Sequence, residues 1–163
     1  MVIAQQPQGC LDRGKGQRNG LGIGGRHGAS GAPWFVVGKD VPGNVLIVAQ
    51  GGENRWLLSR RLQTEAPHWI AGAPPAAEFR CTARTRYRQA DQACTVSVGE
   101  AGLDVSFDVP QRAVTPGQSV VFYAGEVCLG GAVIMATDAA YGGLPPGCAP
   151  TSTAHFKESP IRV

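Results

Sequence analysis

The chain has 163 residues and a formal net charge of +3, enough for one domain or two small ones. Glycine and proline together supply 35 residues, 21% of the chain against a usual share of about 12%, which disfavours long helices and favours turns and short strands. No apolar run approaches the roughly 18 residues a membrane helix needs, so a helical membrane protein is excluded and no membrane partner is expected.

Met1–Cys10 has neither a basic start nor an apolar stretch, so no secretory signal is expected. The five cysteines, at 10, 81, 94, 128 and 148, are odd in number and contain no CxxC pair. A disulfide framework is therefore not expected, and a reducing, cytoplasmic location is. Twelve of the fifteen basic residues are arginine, whose planar fork of donors suits phosphate better than the point charge of lysine.

Residues 1–33 lack apolar periodicity, and eight of the eighteen residues from Gly14 to Gly31 are glycine. Gly20-Leu21-Gly22-Ile23-Gly24-Gly25 satisfies GxGxxG, but Arg26-His27-Gly28-Ala29-Ser30-Gly31 comes next and cannot open the helix that would receive a pyrophosphate. Gly9 to Gly14-Lys15 spells most of a phosphate loop, with Gly16 where Ser or Thr must hold magnesium. A flexible glycine-rich loop explains both strings better.

Pro33–Lys39 and Val45–Ala49 read as two strands joined by a Val41-Pro42-Gly43-Asn44 turn, a hairpin. Asn54–Gln63 is expected to be a short helix or an irregular strap, and Ala71-Gly72-Ala73-Pro74-Pro75 breaks the chain. Strand signals are then closely spaced: Phe79–Gln89, Ala93–Val98, Leu103–Val109, Val120–Tyr123 and Val127–Ile134. Between them Thr115-Pro116-Gly117-Gln118 has the Pro-Gly centre of a type II turn. Strands at this spacing indicate an all-β fold, a small antiparallel barrel or sandwich. After Thr137 no periodicity remains, and a disordered tail is expected.

No catalytic constellation emerges, and His27, His68 and His155 sit in no metal or triad spacing. Cys81, Cys94 and Cys128 fall within predicted strands and are read as small apolar core residues. The strongest physical signal is Arg80 to Gln89. Strand alternation places Arg80, Thr82, Arg84, Arg86 and Arg88 on one face, with Cys81, Ala83, Thr85 and Tyr87 on the other. Guanidiniums spaced at about 7 Å match successive phosphates. A solvated face paired with carboxylates such as Asp104 and Asp108 is the competing reading, and alternation alone does not choose between them.

Several strings resemble the bacterial tRNA-specific 2-thiouridylase family. Gly16 to Gly25 and Pro33 to Asp40 are similar to its central domain. His68-Trp69-Ile70, Arg84 to Gln89, Pro110 to Gln118 and Val121 to Gly131 are similar to its C-terminal domain. The resemblance implies an all-β architecture: a partial central domain over 16–62, then a six-stranded barrel over 63–137 similar to the second domain of elongation factor Tu. Residues 1–15 and 138–163 fall outside it and are expected to lack order. It also implies tRNA as partner, with Arg86, Tyr87 and Gln118 in contact with it. Arg84 and Arg88 join that set from the alternation argument.

The family adenylates the wobble uridine with ATP and Mg, then delivers sulfur received as a persulfide from a carrier protein. The 163 residues contain no SGGxDS string, the family's catalytic cysteines lie upstream of the matched region, and this chain alone is expected to bind no cofactor and to be inactive. A stand-alone RNA-binding module and a non-functional gene fragment are the alternative readings.

Overall fold

A computed structural model of the chain describes residues 2–5, 15–18, 31–40, 42–43, 45–141, 143–144 and 161–162. Both nucleotide-loop strings, Gly9–Lys15 and Gly20–Gly25, lie almost wholly outside these residues. The chain divides into two compact units, one formed by residues 1–57 with 148–163 and the other by Leu58–Gly147.

The first unit contains β1 (Val2–Gln5), β2 (Trp34–Asp40), β3 (Val45–Gln50) and a distant β11 (Ile161–Arg162), ordered β11-β1-β3-β2. The expected hairpin is present as the antiparallel β2–β3 pair. Val36, Leu46 and Val48 are buried between the strands, and Asp40 receives the Gly43 N–H at 3.0 Å to tie the turn. β1 pairs antiparallel with β3, and β11 parallel with β1; both pairings are remote in sequence and leave no local signal.

The second unit is a closed antiparallel barrel. Its strands are β4 (Leu58–Thr64), β6 (Glu78–Arg84), β7 (Gln92–Val98), β8 (Leu103–Arg112), β9 (Ser119–Ala124) and β10 (Val127–Thr137), with a two-residue β5 (His68–Trp69) against β10. The hydrogen-bonded order β4-β8-β7-β6-β9-β10 closes on itself through β10 and β4. On β8, Leu103, Val105 and Phe107 are buried while Asp104, Ser106 and Asp108 are exposed, the alternation of a strand with one wet face. Phe122 and Ile134 are fully buried in the core, and Trp69 packs its ring 5.9 Å from both Phe79 and Phe122.

Three expectations need correction. Asn54–Gln63 is a short helix only at its start: a 3-10 helix at Arg55–Leu57 leads into β4, which begins five residues before the barrel start read at residue 63. Residues just past Thr137 are ordered: Asp138 Oδ1 accepts the N–H groups of Arg60 and Arg61 at 2.8 and 2.9 Å and the Ser59 hydroxyl at 3.1 Å. That carboxylate satisfies donors exposed where β4 bulges between Ser59 and Arg61, and Ala139 is buried beside it. The third correction is the length of β6.

Candidate nucleic-acid interface

β6 ends at Arg84, whereas the sequence reading extends it to Gln89. A side chain ends the ladder. The Thr85 N–H and hydroxyl both donate to Gln89 Oε1, at 2.8 and 3.1 Å, in place of a strand partner. Gln89 Nε2 then donates to Gln111 Oε1 at 2.9 Å, and the buried Gln111 donates to Gln92 Oε1 at 2.9 Å and to the Val109 carbonyl at 2.7 Å. This amide relay crosses from β8 to both ends of the β6–β7 connection. It holds Thr85–Arg88 as a turn, closed by Gln89 N–H to Arg86 C=O at 3.2 Å, with Arg88 at a φ of 64°. A non-glycine residue in that region costs roughly 1–2 kcal/mol and persists only where its surroundings impose it.

The single-face arginine stripe is therefore corrected: Arg86 and Arg88 are not on the strand. Within β6, Arg80 makes a bidentate pair with Asp108, at 2.7 and 2.5 Å, and Arg84 Nε pairs with Asp91. For these two the carboxylate-paired face describes the structure. The hydrogen bonds and charges of those arginines hold the Asp108 and Asp91 carboxyls below their ordinary range.

The turn nevertheless gathers the residues that alternation had separated. Tyr87, assigned by alternation to the face opposite Arg86, sits between Arg86 and Arg88 at the tip and is 91% exposed. The Arg88 guanidinium lies 5.5 Å from the Tyr87 ring centre, and that of Arg84 lies 4.7 Å from the ring of Tyr123 on β9. Arg86 Nη2 reaches across to the connection between β8 and β9 and donates to the Ala113 carbonyl at 2.6 Å. Burial, and then the neighbouring charge of Arg112, lower the Arg86 pKa, yet a guanidinium keeps its proton. In that same connection Thr115–Gln118 forms the expected tight turn, with Gln118 N–H to Thr115 C=O at 3.2 Å and Gly117 at a φ of 86°.

These loops border an open concavity of about 720 Å³, lined by Arg84, Arg86, Tyr87, Arg88, Gln118 and Tyr123, among others. All five candidate site residues thus share one groove, reached from the end of β6 and from two loops. Among the described residues no carboxylate pairs with Arg86 or Arg88, so the groove carries two unbalanced cations beside two aromatic faces. Guanidinium forks, ring faces and a side-chain amide are the chemistry that holds phosphates, stacked bases and base edges. Gln89, Gln92, Gln111, Asp91 and Tyr123 were not anticipated. Gln89, Gln111 and Tyr123 lie within the strings that resemble the 2-thiouridylases, but nothing in the sequence marks a role for any of the five.

Residues 59–134 match the family model described as the aminomethyltransferase β-barrel domain. The chain is also 60% identical over 139 residues to the tRNA-specific 2-thiouridylase MnmA of Stenotrophomonas maltophilia (strain K279a), covering 85% of this chain and 36% of that protein. With the MnmA of Xanthomonas campestris pv. campestris (strain B100) the identity is 63% over 138 residues, 84% of this chain and 36% of the relative. The chain is similar to the tRNA-specific 2-thiouridylases over most of its own length. It corresponds to their C-terminal portion and spans about 36% of the length of the curated relatives it matches. Arg86 and Tyr87 from one loop and Gln118 from the other, the residues that the 2-thiouridylase resemblance singles out, meet in the groove.

Two further observations bound the chemistry. Among the described residues no group of three or more His, Cys, Asp or Glu side chains is placed to hold a metal ion. Among them, no helix is long and apolar enough to cross a membrane.

Proposed function

We propose that the barrel binds tRNA through the groove between the Thr85–Arg88 turn and the Thr115–Gln118 turn, in service of 2-thiolation of the wobble uridine. The observation that carries this reading is the convergence of Arg84, Arg86, Tyr87, Arg88 and Gln118 on one concavity with uncompensated positive charge. Arg88 and Arg86 supply charge for phosphate, Tyr87 an exposed stacking face, and Gln118 a donor and acceptor for ribose or base. Arg86 has a second duty, since its bond to Ala113 ties one wall of the groove to the other.

ATP with Mg and a persulfide carrier belong to the complete reaction in this reading, which is a cytoplasmic one. The described residues do not fit ATP and Mg: they offer no glycine-rich loop opening a helix and no cluster of metal-ligating side chains. No step through that nucleotide is therefore assigned to this chain.

The test is tRNA binding by the 163-residue chain as a function of salt. Arg88→Ala and Tyr87→Ala should weaken binding, with Arg88→Ala also flattening the slope of log K against log salt. Arg60→Ala, on β4 outside the groove, should do neither. Equal affinities and slopes for Arg88→Ala and the parent, with the fold intact by circular dichroism, would exclude the groove as the tRNA site.

A further inference from the structure

Cys81 on β6 and Cys94 on β7 stand directly opposite each other in the ladder, with their sulfurs 3.6 Å apart and unbridged. Directly opposed residues of an antiparallel pair have Cα atoms about 4.5–5.5 Å apart, inside the roughly 4.4–6.8 Å span that a disulfide bridges. Side-chain rotation alone therefore brings the sulfurs to bonding distance. The two thiols are unequal. Cys94 is fully buried, whereas Cys81 is half-buried and meets a dissolved oxidant first. The Cys94 thiol hydrogen bond, and then the Arg80 charge, favour the Cys81 thiolate, while the same contact and burial push the Cys94 thiol up. Among the described residues no third ligating group joins them, so the pair is suited to two-thiol chemistry rather than to a metal.

Their place in the fold gives the pairing a consequence. Residues 81 and 94 form the fourth of the six rungs of the β6–β7 ladder, two rungs before the connection, and every residue of the Thr85–Arg88 turn lies between them in the chain. We infer that Cys81 and Cys94 form a reversible redox clasp, closed by a hydroperoxide and opened by a dithiol, that locks the hairpin carrying Arg84, Arg86, Tyr87 and Arg88. The Cys81 thiolate attacks one oxygen of ROOH; the O–O bond breaks, an S–O bond forms, and RO⁻ leaves, taking the proton that Cys81 released. The Cys94 sulfur then attacks the Cys81 sulfenic acid; the S–O bond breaks, the S–S bond forms, and the hydroxyl leaves with the Cys94 proton as water. Two thiols and ROOH become one disulfide, ROH and water. The inference stands on the barrel geometry alone and is independent of what the groove binds.

The experiment treats the reduced 163-residue chain with tert-butyl hydroperoxide, then maps tryptic peptides by mass and tracks amide hydrogen exchange. The expected result is the peptide Cys81–Arg84 linked to the peptide Gln89–Arg112, lighter by two hydrogens and separated again by dithiothreitol. Exchange at residues 85–91 should slow severalfold in the linked form. Cys94→Ala, which keeps an apolar residue in the core, should stop Cys81 at a sulfenic acid that dimedone traps. Linkage of either sulfur to Cys128 in preference, passage of Cys81 to sulfinic acid without a link, or unchanged exchange in the linked form would overturn the clasp.

Discussion

Asp91→Asn is the sharpest probe of the groove, because it adds charge without touching an arginine. Asp91 accepts a hydrogen bond from Arg84 Nε, and the pair cancels one of the cations that line the groove. Arg86 and Arg88 remain as two unbalanced charges. Neutralising Asp91 releases Arg84 while leaving it against the Tyr123 ring, so three cations then face the ligand. Each phosphate neutralised adds about 0.7–0.9 to the magnitude of the salt slope. The variant should therefore bind tRNA with a slope steeper by up to about one unit, so that a fourfold fall in salt strengthens it about threefold more than the parent. Both partners are substantially solvent-exposed, so the lost ion pair should barely alter stability. The assay is filter binding or anisotropy with labelled tRNA over a salt series, with urea unfolding as the fold control. An unchanged slope in a stably folded variant would show that Arg84 does not face phosphate, and would remove it from the site.

Gln111→Leu should loosen the turn from a distance: it strands the half-buried Gln89 Nε2 and Gln92 Oε1, costs no more than about 1–3 kcal/mol in urea unfolding because water reaches both, and speeds amide exchange at residues 85–89. Gly102→Ala should destabilise the barrel by more than the roughly 1–3 kcal/mol of ordinary overpacking, since its Cβ would fall 1.9 Å from the Thr64 carbonyl oxygen, which is backbone. The carboxyls of Asp91 and Asp108 are held low by their arginines, so their contributions to stability are present above the ordinary value of 3.8 and vanish as pH falls through the depressed values. The double variant Asp91→Asn/Asp108→Asn should accordingly show a shallower loss of stability on acidification below pH 3.8 than the parent. Incubated with ATP, a persulfide donor and tRNA, the 163-residue chain should release no pyrophosphate and form no 2-thiouridine, since its sequence holds no SGGxDS string.

The range of each interaction decides whether the sequence reveals it or hides it. The alternation of Leu103 to Asp108 and the Pro116-Gly117 turn are local, and both stand in the structure as read. The end of β6 is not local. Arg84-Thr85-Arg86 looks like more strand until Gln89 turns back on Thr85, and Gln89 is held there by Gln111 from another strand. The same blindness concealed Asp91, seven residues from the arginine it neutralises, and the register that sets Cys81 against Cys94. Tyr87 shows how a resemblance and a periodicity argument diverge. Periodicity placed it away from Arg86, the family motif kept the two together, and a turn rather than a strand reconciles them.

Closure of the barrel through β4 and β10 has a consequence for how such a unit can travel between proteins. The first and last strands are neighbours, with Leu62 opposite Thr137 and Thr64 opposite Ile134. The polypeptide thus enters and leaves at one seam, and Asp138 on the outgoing chain clips the incoming strand at Arg60 and Arg61. A unit whose two ends meet this way can be spliced into a host at a single surface site, like a bead with both threads on one side, without opening its ladder. A graft cut at Leu58 and just past Asp138 would carry both groove turns with it, because the hydrogen bonds that hold them among the described residues come from within the barrel.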